Sequence, residues 1–176
     1  YLFRFIFCYS TILFITQLRT MFNFNLLPKP ANNEFSGNKI AFWGFVLFVA
    51  LMTWRSIIHM FFEEYGLHEI ANFIVFSGNP DPNPVIYLFF SLWGLEQLII
   101  CALCWIVIFR YKSLIPLMYV FWILEWGVRL FYYPNFVKHL DPNLYKTGLT
   151  PGAEGAPYTL VLLLVLFLLS IKINSK

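Results

Sequence analysis

Five stretches of this chain are strongly apolar and close to the length a bilayer demands: 1–17, 40–62, 85–109, 114–133 and 158–173. A helix needs about 20 apolar residues, at about 1.5 Å rise each, to cross the hydrocarbon. There the backbone has no water to bond, and a helix satisfies its own donors and acceptors. The runs therefore predict an all-α polytopic transmembrane helix bundle with a four-helix core plus an N-terminal fifth transmembrane helix. Residues 1–38 are the N-terminal hydrophobic helix and its basic connection, and residues 39–176 are the core. The 1–17 run is interrupted by Arg4 and reads as a span, with a signal anchor and an interfacial helix as the alternatives.

Composition agrees. Hydrophobic residues make up 60% and charged residues 12% of the chain, against about 25% charged in a soluble domain. With 176 residues the chain makes one bundle and leaves no room for a separate soluble domain. The net charge of +3 is scattered through the connections. It forms no basic stripe, which speaks against nucleic acid as a partner.

The connections carry an alternating charge. The one before residue 40 holds Arg19, Lys29 and Lys39 against Glu34, and the next holds Glu63, Glu64, Glu69 and Asp81 without Lys or Arg. Arg110 and Lys112 occupy the tight turn that follows; residues 134–157 are mixed, and Lys172 and Lys176 lie at the C-terminus. By the positive-inside tendency this predicts a C-terminus on the cytoplasmic-type side, in a bacterial inner membrane or an organelle membrane. Within the acidic connection, Leu67, Ile70, Ala71 and Ile74 recur at helical spacing, predicting an outer interfacial helix over about 64–76. Three prolines in Gly78–Pro84 then force turn geometry before the next span.

Charge inside the spans points to where function resides. Arg55, Glu96, Glu125 and Arg129 lie within otherwise apolar runs. Each costs at least ~2.5–3.5 kcal/mol at membrane depth, so each is expected to face a partner or a cavity. Helical rise puts all four in the middle-to-outer half of the membrane, with Glu96 near the midplane. Glu125 and Arg129 are spaced i, i+4 in the favourable order for an ion pair, which leaves Arg55 and Glu96 to each other or to a shared site. Gln97 adds a neutral hydrogen-bonding group. The set Arg55, Glu96, Gln97, Glu125 and Arg129 is thus an expected intramembrane polar network, which serves either to lock helices together or to line a cavity for a headgroup, a quinone or a proton.

His59 is a possible cofactor ligand, since imidazole is a common axial ligand of haem and can hold chlorophyll. Its partner across a haem would have to be His139, because no other span carries a histidine. His68 reads as a surface residue. Mid-span aromatics such as Phe90, Trp93, Trp105, Trp122 and Trp126 suit packing or lipid contact first, and a wall for a pigment, quinone or neighbouring subunit second. Cys101 and Cys104 form a C-x-x-C on an apolar helix, where packing is the plainer reading. The glycine-rich run Gly148–Gly155 lacks the ending of a phosphate loop. Neither a hydrolase triad nor a zincin-type histidine pair is present.

The segments Phe90-Ser-Leu-Trp-Gly-Leu-Glu-Gln-Leu98, Arg110-Tyr-Lys-Ser-Leu-Ile-Pro-Leu-Met-Tyr119, Leu124-Glu-Trp-Gly-Val-Arg129 and Thr150-Pro-Gly-Ala-Glu-Gly155 resemble a family of small, uncharacterised four-helix bacterial membrane proteins. The resemblance spans roughly residues 54–171 and implies a four-helix core. It carries over no catalytic residue. Together these readings lead to a non-catalytic accessory or structural subunit of a larger membrane complex, with other integral membrane subunits and membrane lipids as partners. The alternative is a small membrane redox, quinone- or lipid-binding protein that uses the polar network. Among cofactors, lipid comes first, with chlorophyll, haem and quinone behind it. A proton or ion carrier using Glu96 ranks lower, because paired transport repeats are absent.

Overall fold

A computed structural model describes residues 26–133 and 142–171. The 1–17 run lies outside the described residues, as do His139 and the C-terminal lysines. Among the described residues there is no β-strand. Four helices exceed two turns: α1 (Lys39–Phe61), α2 (Asn83–Arg110), α3 (Ile115–Phe131) and α4 (Ala156–Ser170). Three segments, Lys39–Phe61, Asn83–Arg110 and Lys112–Phe131, are long and apolar enough to cross a membrane. The fourth helix is equally apolar but shorter, with 15 residues.

The helix boundaries have local causes. Asn38 caps α1, its side chain accepting from the Ile40 N–H at 2.8 Å, which satisfies one of the orphan donors of the first turn. Pro84, Pro116 and Pro157 each sit in the first turn of their helix, where a missing N–H costs nothing. α1 and α2 end alike, at Phe62 (φ −134°, ψ 47°) and Tyr111 (φ −137°, ψ 50°), an aromatic leaving helical geometry just beyond each span.

α1 runs along α2, α3 pairs with α4, and α4 also touches α1. α1 and α2 approach each other closely. A Cβ placed on Gly94 would lie 2.5 Å from the Met60 backbone nitrogen, so only glycine fits that crossing. Beside it the Ser91 hydroxyl donates to the Met60 carbonyl at 2.8 Å. Further along, Trp105 Nε1 donates to Thr53 Oγ1 at 3.0 Å. Small residues that admit close backbone contact, with polar groups bridging them, are how helices adhere where solvent supplies no hydrophobic drive. The core between the two pairs is aromatic: Phe45 against Tyr119 at 4.9 Å and Phe48 edge-on to Trp122 at 5.1 Å. Tyr119 is fully buried, and its hydroxyl donates to the Ala41 carbonyl at 2.7 Å.

Both ends of the bundle are tied. At the end that carries Lys39, Arg110 and Lys112, here the basic end, the Asn38 N–H donates to the Leu169 carbonyl at 2.9 Å and the Ser113 hydroxyl to the Asn32 carbonyl at 3.0 Å. At the opposite, acidic end, which carries Glu63, Glu64, Glu69 and Asp81, the connection after α1 meets the one before α4. The Ile74 N–H donates to Tyr145 O at 3.1 Å, and the Thr147 N–H to Asn72 O at 2.8 Å. Asn72 also donates from Nδ2 to Leu149 O at 2.6 Å.

The expected interfacial helix over 64–76 is cut short. A helical turn at Glu63–Tyr65 continues as a π-turn over Gly66–Ile70 and stops. Asn72 then adopts φ 59°, a left-handed conformation that asparagine tolerates and that no helix continues through. The backbone beyond it pairs with the facing connection.

Candidate functional site

Near the acidic end, α1, α2 and α3 bring together four of the five expected network residues. The crossing register sets this up: Ser91 is level with Met60 and Gly94 with His59, so in the antiparallel pair Gln97 comes level with Arg55. From α3, Arg129 and Glu125 form the expected i, i+4 ion pair. Gln97 Nε2 donates to the same Glu125 Oε1 at 3.3 Å, joining α2 to α3.

Glu96 does not join them. Its side chain is on the exposed face of α2. One residue along a helix is a turn of about 100°, so with Gln97 facing inward (4% exposed) Glu96 must look away from the cluster. The expected Arg55–Glu96 partnership is therefore replaced. The Arg55 guanidinium lies 5.1 Å from the Trp93 ring and 5.9 Å from that of Trp126, and its Nη1 reaches the Met52 thioether at 3.9 Å. Arg129 uses the same two indoles, at 5.3 Å from Trp93 and 5.0 Å from Trp126. Two cations thus share two aromatic rings, an arrangement that helps hold a guanidinium away from water.

Trp93 and Trp126, read from the sequence first as packing or lipid-facing surface and only second as a wall, belong to the site but are not among the residues of the expected network. Their signal was present: Trp93 and Gln97 are four apart on α2, and Trp126 and Arg129 three apart on α3, so each indole shares a helix face with a polar residue.

His59 is buried at 6% exposure, its ring stacked on Trp93 at 4.7 Å and tilted against Phe90 at 4.6 Å. Among the described residues its buried Nδ1 finds no hydrogen-bond partner, and neither do Gln97 Oε1, Glu125 Oε2, Trp126 Nε1 and Arg129 Nε. The second haem ligand in the expected pair, His139, lies outside the described residues. Among those residues no group of three His, Cys, Asp or Glu side chains is placed to hold a metal ion.

His68, expected on the surface, is half-buried and works as a clasp. Its Nδ1 lies 2.9 Å from the Phe73 carbonyl and its Nε2 2.7 Å from the Tyr87 hydroxyl. A carbonyl only accepts, so in the neutral ring Nδ1 carries the proton and Tyr87 donates to Nε2. Cys101 and Cys104 are buried as free thiols, and the Trp122 Nε1 donates to Cys104 Sγ at 3.4 Å.

No family model, no curated protein and no solved structure matches this chain.

Proposed function

We propose that this protein is a non-catalytic subunit of a larger membrane assembly, held there by a partner helix that answers Glu96. In this reading α4 also crosses the bilayer, completing a four-helix core, and the 1–17 run adds a fifth span. The acidic end then lies outside and the C-terminus on the cytoplasmic-type side.

The observation that carries the reading is the position of Glu96. It stands at the middle of the 28-residue α2, on the exposed face, among Leu92, Ile99, Ile100 and Leu103. A carboxylate facing hydrocarbon at that depth is costly and finds a polar group to meet. None of the described residues supplies one; in this reading the complement is a transmembrane helix from another protein with a cation or a hydrogen-bond donor near its centre. The surrounding surface suits such a neighbour: Trp43, Trp54, Phe89, Phe109 and Phe121 are all exposed and offer area for packing.

Purification from native membranes in a mild detergent tests this. The expected result is a multi-protein peak that Glu96→Leu disrupts while the isolated protein remains folded. A single chain in its micelle, or a peak containing only copies of this chain, would overturn the reading. An absorption spectrum of the same peak reports any pigment.

A further inference from the structure

Among the described residues the charges of the buried cluster do not cancel. Glu125 is taken by Arg129, and Arg55 is left with a thioether and two indole faces. A thioether is a weak acceptor, and a ring face offers only its quadrupole, so neither neutralises a guanidinium. Beside it, the Trp126 indole N–H (6% exposed residue) and the Arg129 Nε–H are buried donors with no acceptor among the described residues. Native proteins seldom leave such groups unpaired. A surplus positive charge with two unused donors calls for one negative oxygen group.

We propose that Arg55, Arg129 and Trp126 form a binding site for a single oxyanion, a phosphate or a carboxylate, carried on a lipid. Depth favours the lipid as carrier. Arg55 lies six residues and Arg129 two residues before the ends of their helices, or ~9 Å and ~3 Å below them. That is the boundary between headgroups and acyl chains when the helices span. A free anion coming from the water at this end would meet Glu63, Glu64 and Asp81 first, and their charge repels it. Gln97 Oε1, a buried acceptor with no donor among the described residues, suits a hydroxyl next to the oxyanion, as on a glycerol headgroup. The site does not depend on the subunit reading: it needs no partner protein and is measured on the isolated chain.

Native mass spectrometry of the purified chain tests it, with three probes: dioctanoyl phosphatidylglycerol, dioctanoyl phosphatidylcholine and inorganic phosphate. Retention of one phosphatidylglycerol in preference to phosphatidylcholine is expected, with no phosphate adduct. Arg55→Gln should weaken that retention at least tenfold. Glu125→Gln, which removes the only opposing charge of the cluster among the described residues, should preserve or tighten it. The opposite signs separate a binding role from loss of folding, and if Arg55→Gln does not fold, the Glu125→Gln comparison decides alone. Phosphate retained as well as phosphatidylglycerol would keep the oxyanion site but overturn the lipid as its carrier. Equal retention of both lipids, no adduct at all, or equal weakening by both variants would overturn the site.

Discussion

Replacing Gly94 by alanine adds one methyl group where α1 and α2 cross backbone to backbone. That carbon would lie 2.5 Å from the Met60 nitrogen, 2.7 Å from the His59 carbonyl carbon and 2.8 Å from the His59 Cβ. Comfortable separations are about 3.5–4.0 Å, so α1 and α2 must part by about 1 Å. The nearest atoms belong to the backbone, and no rotamer change relieves them. Overpacking of this kind costs typically 1–3 kcal/mol, and the rigid neighbours put Gly94→Ala at about 3. The better helix propensity of alanine returns at most ~1 kcal/mol. The net expectation is destabilisation by about 2 kcal/mol, with the Ser91–Met60 bond stretched or broken. Gly127 on α3 provides the control, because a Cβ there meets nothing within 4 Å. Gly127→Ala should be neutral or up to ~1 kcal/mol stabilising. Reversible unfolding in mixed micelles of mild and denaturing detergent, followed by tryptophan fluorescence, measures both. Equal midpoints for the two variants would refute the close crossing.

Three other expectations follow from single contacts. Tyr119→Phe removes a buried hydrogen bond to Ala41 O and should cost about 1 kcal/mol in the same unfolding assay; no change would mean the hydroxyl finds nothing to bond. Asn72→Ala should loosen the acidic-end connections more than Asn72→Gly, because both lose the bond to Leu149 O while only alanine resists φ 59°; amide exchange over 71–76 and 144–150 is the readout, and equal protection in the two variants would count against it. In a Cys8→Ser background, Cys101 and Cys104, at 0% and 1% exposure, should resist maleimide until the micelle is made denaturing; labelling at the rate of a surface thiol would show that α2 is rotated from the orientation described.

Most of the helix order was readable from the residues, because hydropathy marks spans directly and proline marks their first turns. The 85–109 run and the observed Asn83–Arg110 differ by only a residue or two at each end. The Glu125–Arg129 pair was legible for the same reason: it is local, fixed by the helix pitch. What was not legible is rotation. Nothing in the pattern around Glu96-Gln97 says which of two adjacent polar residues faces the bundle, since the surrounding apolar residues suit lipid and core alike. The interfacial helix failed for a different reason. Its apolar spacing was genuine, but the facing connection, some 75 residues later in the chain, offers the backbone of 72–74 better partners.

The ties at the two ends also say something about the order in which the bundle is made. Asn72 reaches Leu149 across 77 residues, Thr150 reaches Ala71 across 79, and Tyr119 reaches Ala41 across 78. Synthesis delivers residues one at a time, so α1 and α2 can pair at their glycine crossing before any of these contacts exists. The pair Asn38–Leu169 comes later still. A ribosome-bound chain stopped after α2 would hold a closed hairpin with open ends, its Asn72 and Ala71 carbonyls still solvated at the interface. The last helix and the connection before it therefore latch the molecule, and a truncation before Pro142 should leave the hairpin and the Asn32–Ser113 tie intact while removing the acidic-end ties and the Asn38–Leu169 bond.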